Sequence, residues 1–167
     1  MARSWHVSVH VHPRGMPLPT GKLAYTDPID RVMGSFVRLL PSGEFDECLR
    51  IATAFDPALG VPGLPGWTCI PTPGHTPGHV SYFRAGDRVL ITGDALLTAS
   101  AKSLWGLIPS PQVISPPPRI STWDWAEAME SIRTLAGLEP LVLAPGHGLP
   151  ITTPAAQLHA FADTAFR

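Results

Sequence analysis

The chain has 167 residues, a formal net charge of -1, 44% apolar residues and 15% charged ones. This length and apolar content support one domain over residues 1–167 and exclude a disordered chain. The balanced charge leaves no basic stripe for nucleic acid, and no apolar run is long enough to span a bilayer. Residues 1–15 lack the uninterrupted apolar core of a signal peptide, so the expected setting is cytoplasmic, with a small-molecule substrate, no nucleic acid and no membrane. Cys48 and Cys69 then read as free thiols.

In chain order, His6 to His12 alternates strictly, which predicts a strand with Val7, Val9 and Val11 on a buried face and His6, His10 and His12 opposite. Pro13 to Pro28 reads as a loop, and Ile29 to Leu40 as a helix ended by Pro41 and Gly43. Glu44 to Gly66 has no dominant period until Pro62 to Gly66, whose turn chemistry leads into a short strand over Trp67 to Pro71. Val80 to Arg84 and Arg88 to Thr92 predict two strands joined by a tight hairpin at Ala85 to Asp87. Leu97 to Arg119 is rich in proline and reads as an irregular excursion carrying Trp105, Leu107 and Ile108 as candidate pocket-lining residues. Ser121 or Thr122 is expected to cap a helix over Trp123 to Leu135, with Trp125, Met129, Ile132 and Ala136 on its packing face and Gly137 as its stop. Leu141 to Leu143 predicts a short strand. A last helix is expected from Thr153, with Pro154 in its first turn and Leu158, Phe161 and Ala165 as its packing side.

Three segments carry chemistry. They are HTPGH at His75 to His79, TGDAL at Thr92 to Leu96 and APGHG at Ala144 to Gly148. His75, Asp94 and His147 each follow a predicted strand and are each preceded by a glycine, Gly74, Gly93 and Gly146, which lets the backbone turn sharply. A strand end followed by a turn holds a side chain firmly while leaving its tip open, as a metal ligand requires. Imidazoles with a carboxylate suit zinc, iron or manganese. A lone histidine is more often structural and a lone Gly-Asp is usually a turn, so the ordered conjunction carries the reading.

In that conjunction the chain resembles the metallo-β-lactamase fold superfamily of hydrolases, glyoxalase II-like enzymes among them. The resemblance implies an α/β fold, an αββα sandwich that is incomplete here, with part of the N-terminal sheet missing. It implies that His75 ligates a first metal, Asp94 bridges two, His147 ligates the second, and His79 makes a supporting hydrogen bond instead of a metal bond. The family's upstream His-x-His-x-Asp-His motif occurs nowhere in these residues. On the family's register Trp5 to Pro13 is the strand reached after that motif, so the chain is expected to match about the C-terminal two-thirds of a relative, with three of seven ligands.

The implied activity is hydrolysis of an ester, thioester, lactone or similar bond through a metal-bound hydroxide, with two zinc ions in full-length relatives and one or none here. Three shared ligands imply an impaired enzyme. Asp94 stands where zinc β-lactamases tend to have cysteine, and no tyrosine closely follows His147, which weighs against antibiotic and glutathione-thioester hydrolysis. The alternative is a non-catalytic remnant or scaffold that self-associates, as a homodimer, through an exposed sheet edge. His6, His10 and His12 read as a polar strand face, and Trp123 and Trp125 as packing residues.

Overall fold

The computed structural model describes residues 8–15, 52–98 and 113–164. Within them β1 (Val9–Val11) and β2 (Ala52–Ala54) form a parallel pair. A second sheet takes the order β3 (Trp67–Pro71), β4 (Val80–Arg84), β5 (Val89–Gly93), β6 (Val142–Pro145) and β7 (Ile151–Thr152). Two α-helices among the described residues, α1 (Trp125–Ala136) and α2 (Ala155–Thr164), give with these sheets a mixed α/β architecture. The predicted helix over Ile29 to Leu40, the loop beyond Gly15, His6, Cys48 and the residues Trp105, Leu107, Ile108 and Ala165 lie outside the described residues.

Strand direction places the chemistry. β3 and β4 are antiparallel, as are β4 and β5, so the end of β3, the start of β4 and the end of β5 share one edge of the sheet. β5 and β6 are parallel, with Gly93 beside Pro145, so β6 ends at that same edge. Parallel neighbours need a crossover, and α1 lies on the connection between them.

Alternation fixes what that helix covers. Ser81, Leu90, Thr92 and Leu143 are fully or almost fully buried on the sheet face beneath the helices, while Ile91, one residue out of phase, is exposed. Met129, Ile132, Leu135 and Ala136 of α1 and Leu158 and Ala162 of α2 join Leu90, Leu96 and Leu143 in one apolar cluster, with Trp125 and Phe161 packed on its margin. No helix among the described residues is long and apolar enough to cross a membrane.

Several element boundaries differ from expectation for local reasons. The hydroxyls of Ser121 and Thr122 are already spent on the Pro118 carbonyl, in a turn over Arg119–Ser121. The first capping side chain left is Asp124, whose carboxylate accepts from Glu127 N at 2.9 Å, so α1 starts at Trp125 and not at Trp123. Arg88 and Thr153 have φ of 55° and 54°, and each left-handed residue delays its element, to Val89 and to Ala155. The strand predicted from Leu141 runs instead over Val142–Pro145. Val9 and Val11 are half-buried, not fully buried, and His10 opposite them is exposed. Cys69 is a buried free thiol.

Leu143 is fully buried at the centre of this cluster. Leu143→Ala is expected to lower unfolding free energy by about 2–5 kcal/mol, read as a lower urea midpoint at unchanged slope.

Candidate metal centre

The loop from Thr72 to His79 is closed by Thr72 N donating to His79 O at 3.0 Å, which returns the chain directly from β3 into β4. It is also fastened to α1. Trp123 N donates to His75 O at 3.2 Å, Asp124 N to Gly74 O at 2.9 Å, and the Ser131 hydroxyl to Pro73 O at 2.7 Å. The loop that presents His75 is therefore positioned by the helix that forms the core.

The structure brings the three predicted side chains together. His75 Nε2 lies 3.5 Å from Asp94 Oδ2, and His147 Nε2 lies 3.5 Å from Asp94 Oδ1. The two imidazoles thus approach opposite oxygens of one carboxylate, and among the described residues no set of three or more histidine, cysteine, aspartate or glutamate donors encloses a single point. Each half offers two donors. A separation of 3.5 Å is long for a charge-assisted hydrogen bond, whereas zinc bonds of about 2.1 Å at a tetrahedral angle hold neighbouring nitrogen and oxygen donors about 3.4 Å apart. Exposure grades across the site, from 18% for the His75 side chain through 34% for Asp94 to 60% for His147.

Burial lowers the His75 pKa below the ordinary histidine value, Asp94 opposing the shift and His147 adding to it. At neutral pH this imidazole is therefore uncharged, with a lone pair free for a metal. Its Nδ1 is buried and has no hydrogen-bond partner among the described residues. Nε2, uncharged and 3.5 Å from a carboxylate oxygen, fits a cation by the chemistry of the donor set.

Backbone shape at two glycines permits this approach. Gly93 has φ of 52°, and a Cβ there would fall 2.9 Å from His79 Nε2. A Cβ on Gly146 would fall 2.4 Å from Asp94 Oδ1, so a side chain at that position would displace the carboxylate. The loop beyond His147 is braced by Thr98, whose N donates to His147 O at 3.1 Å and whose hydroxyl donates to Leu149 O at 2.6 Å.

His79 lies beside the three and makes hydrogen bonds at both ring nitrogens. Nδ1 is 2.8 Å from Thr72 Oγ1, and Nε2 accepts from Asp94 N at 3.1 Å. Thr72 Oγ1 continues to Ser81 Oγ at 3.0 Å, and Ser81 donates to Thr92 O at 3.2 Å. Sequence reasoning overlooked Thr72, Ser81 and Thr98. Ser81 had a usable signal, since it is a polar residue in the core-facing phase of β4. His10 is exposed, and His12 Nδ1 accepts from Arg14 N at 3.2 Å.

Comparison with known proteins gives the family and the fold. The sequence profile of the Metallo-beta-lactamase superfamily matches residues 1–147, and the chain belongs to that superfamily. Its members bind metal ions. It is 40% identical over 152 residues to the probable metallo-hydrolase YflN of Bacillus subtilis (strain 168), and 28% identical over 140 residues to the probable metallo-hydrolase YqjP of the same organism. These matches cover 89% and 83% of this chain but 57% and 38% of the relatives, so the chain spans about half the length of the curated relatives it matches. Among solved structures, the archaeal superfamily protein ST1585 from Sulfolobus tokodaii shares the fold with a TM-score of 0.55 at 18% identity, over 99% of this chain and 60% of that one. TTHA1623, solved in a di-iron-bound form, gives 0.51 at 22% identity over 92% and 64%.

Burial, reinforced by the neighbouring His75 and opposed by Asp94, holds the His79 pKa down at about 4. The unfolded chain takes up a proton near pH 6.5 and the folded one does not until about pH 4, so this contribution to stability is complete above 6.5 and is lost as pH falls toward 4. His75 acts in the same direction. Urea unfolding of the metal-free protein at pH 7 and pH 4.5 is expected to differ by about 2–3 kcal/mol on account of His79, and His79→Gln is expected to flatten that slope.

Proposed function

We propose that this chain is a metal-dependent hydrolase in which His75 with Asp94 forms one half of a metal centre and His147 with Asp94 forms the other. The observation that carries the proposal is the carboxylate shared between two imidazoles, with each Nε2 at 3.5 Å from a different oxygen. Zinc is the preferred occupant, with iron or manganese compatible with the same nitrogen and oxygen donors. When bound, such an ion polarises a carbonyl and brings the pKa of a water down to roughly 7. The chain's own residues supply orientation. Neutral His75 keeps its lone pair available, Asp94 spans the two positions, and exposed His147 leaves the open side on which a substrate enters.

The substrate class we assign is a small ester, thioester, lactone or related carbonyl compound, handled in the cytoplasm without nucleic acid or membrane. The likeness to YflN and YqjP, both probable metallo-hydrolases, supports metal-dependent hydrolysis as the reaction class. Zinc hydrolases hold their ion through three or four protein donors. These residues bring two to each position, so turnover by the chain alone is proposed to fall well below that of a relative carrying the His-x-His-x-Asp-His motif. A second reading, a non-catalytic scaffold that forms a homodimer, is favoured by one observation: β3 stands at the end of the strand order among the described residues.

The discriminating experiment is metal analysis of the purified chain together with assays on a generic ester and a phosphodiester. Asp94→Ala is expected to abolish metal retention, and His75→Ala to weaken it by more than about tenfold, with hydrolysis falling in parallel. A metal-free wild type whose residual turnover ignores both substitutions, and which sediments as a dimer, would establish the scaffold instead.

A further inference from the structure

We propose that Thr72 and Ser81 are positioning residues for the Asp94 carboxylate, acting through His79 in a one-way chain of hydrogen bonds that starts and ends on the same strand terminus. The inference rests on the metal-holding reading above and identifies what keeps its shared ligand aimed.

Every proton in this chain has a single allowed place. Asp94 N can only donate, so His79 Nε2, at 3.1 Å, accepts. An imidazole that accepts at one nitrogen carries its hydrogen on the other, and Nδ1–H donates to Thr72 Oγ1 at 2.8 Å. At the far end Thr92 O can only accept, which commits the Ser81 hydroxyl to it. The 3.0 Å link between Thr72 and Ser81 is then made by the Thr72 hydroxyl donating. The chain runs from Asp94 N–H out through His79, Thr72 and Ser81 and back to the Thr92 carbonyl, two residues from where it began.

Burial removes the alternatives. Thr72 is 1% exposed, and Ser81 and Thr92 are 0%, so water does not replace a missing partner. The His79 ring occupies the space a Gly93 side chain would need. The peptide group between Gly93 and Asp94 is held at both poles, its N–H by His79 and its carbonyl by Gly146 N at 2.8 Å. Were His79 protonated on Nε2 instead, two N–H groups would face each other, and Asp94 would be pushed off its line between His75 and His147. With Ser81 present the Thr72 proton is committed outward, so Thr72 Oγ1 accepts from Nδ1–H and reinforces the tautomer that Asp94 N requires; without Ser81 the Thr72 hydroxyl is free to donate to Nδ1 and compete with it.

The test uses the 167-residue chain with cobalt(II) as the metal probe and nitrogen-15 NMR of the histidine rings in the metal-free protein. Wild type is expected to show His79 protonated on Nδ1 and to bind cobalt with a resolved visible spectrum. Thr72→Val, which keeps the shape and deletes the hydroxyl, and Ser81→Ala, which does not touch His79, are each expected to mix the tautomers and to weaken cobalt binding about 10–100-fold. Thr72→Ser is expected to recover most of that loss. A purely structural hydroxyl would lower the melting temperature without moving the tautomer or the cobalt spectrum. Cobalt-binding wild type with Nε2–H on His79, or Ser81→Ala with unchanged tautomer and affinity, would overturn the positioning role alone. Wild type that binds no cobalt would overturn the metal reading and the positioning role with it.

Discussion

Asp94 faces two imidazoles at once because the peptide group that carries it cannot rotate. Its N–H is taken by His79 and the carbonyl of the same peptide by Gly146 N, so the plane from which the side chain springs is clamped at opposite poles. A carboxylate has two free side-chain torsions, and ordering it costs entropy that exposed contacts seldom recover. The clamp fixes the backbone from which those torsions spring, so ordering the carboxylate involves the side chain alone. The absent side chain at Gly146 then lets Oδ1 come within reach of His147, and the positive φ at Gly93 turns the chain toward it. Remove any of these restraints and the two 3.5 Å approaches have no reason to coexist.

That clamp depends in turn on the core. α1 is the crossover between parallel β5 and β6, and its buried Met129, Ile132 and Leu135 seat it on Leu90 and Leu143 of those strands. Once seated, its N-terminal end receives the His75 loop through the backbone of Trp123 and Asp124 and through Ser131. Apolar burial, which is non-directional, fixes the helix; directional hydrogen bonds from the helix then fix the loop. The division of labour explains how side chains from residues 75, 94 and 147 meet on loops, which alone would not hold donors to the tolerance a metal needs.

Much of this was legible in the amino-acid order. The strands over Trp67–Pro71 and Val80–Arg84 were marked by the turn at Pro62 to Gly66 and the hairpin at Ala85 to Asp87, and the observed bounds are the same. The three strand-end glycines pointed to His75, Asp94 and His147. What could not be read was competition among polar groups. Ser121 and Thr122 are good caps in isolation, yet both hydroxyls are taken by Pro118 O, a fact of three-dimensional folding that no periodicity encodes. β2 escaped notice because the three residues Ala52–Ala54 are too short a run, of too small side chains, to mark a strand, and they pair with β1 across a long stretch of sequence. The run through Thr72 and Ser81 is likewise distributed over two strands, and only their antiparallel register makes the hydroxyls neighbours.

Charge gives an independent reason to regard the half-sites as weak. His75 is held neutral by burial, so it contributes a lone pair and no negative charge. Asp94 is the one anionic donor among the three, and its single charge is divided between two positions. Two divalent ions held there would bring four positive charges to that carboxylate, and close like charges repel strongly where water is partly excluded. In the proposed centre the shared carboxylate would set the spacing of two ions while neutralising neither. Geometry suited to a pair and charge insufficient for one describe a framework whose affinity must come from additional donors, and this is why coordination number and electrostatics lead to the same proposal of low turnover for these residues acting alone.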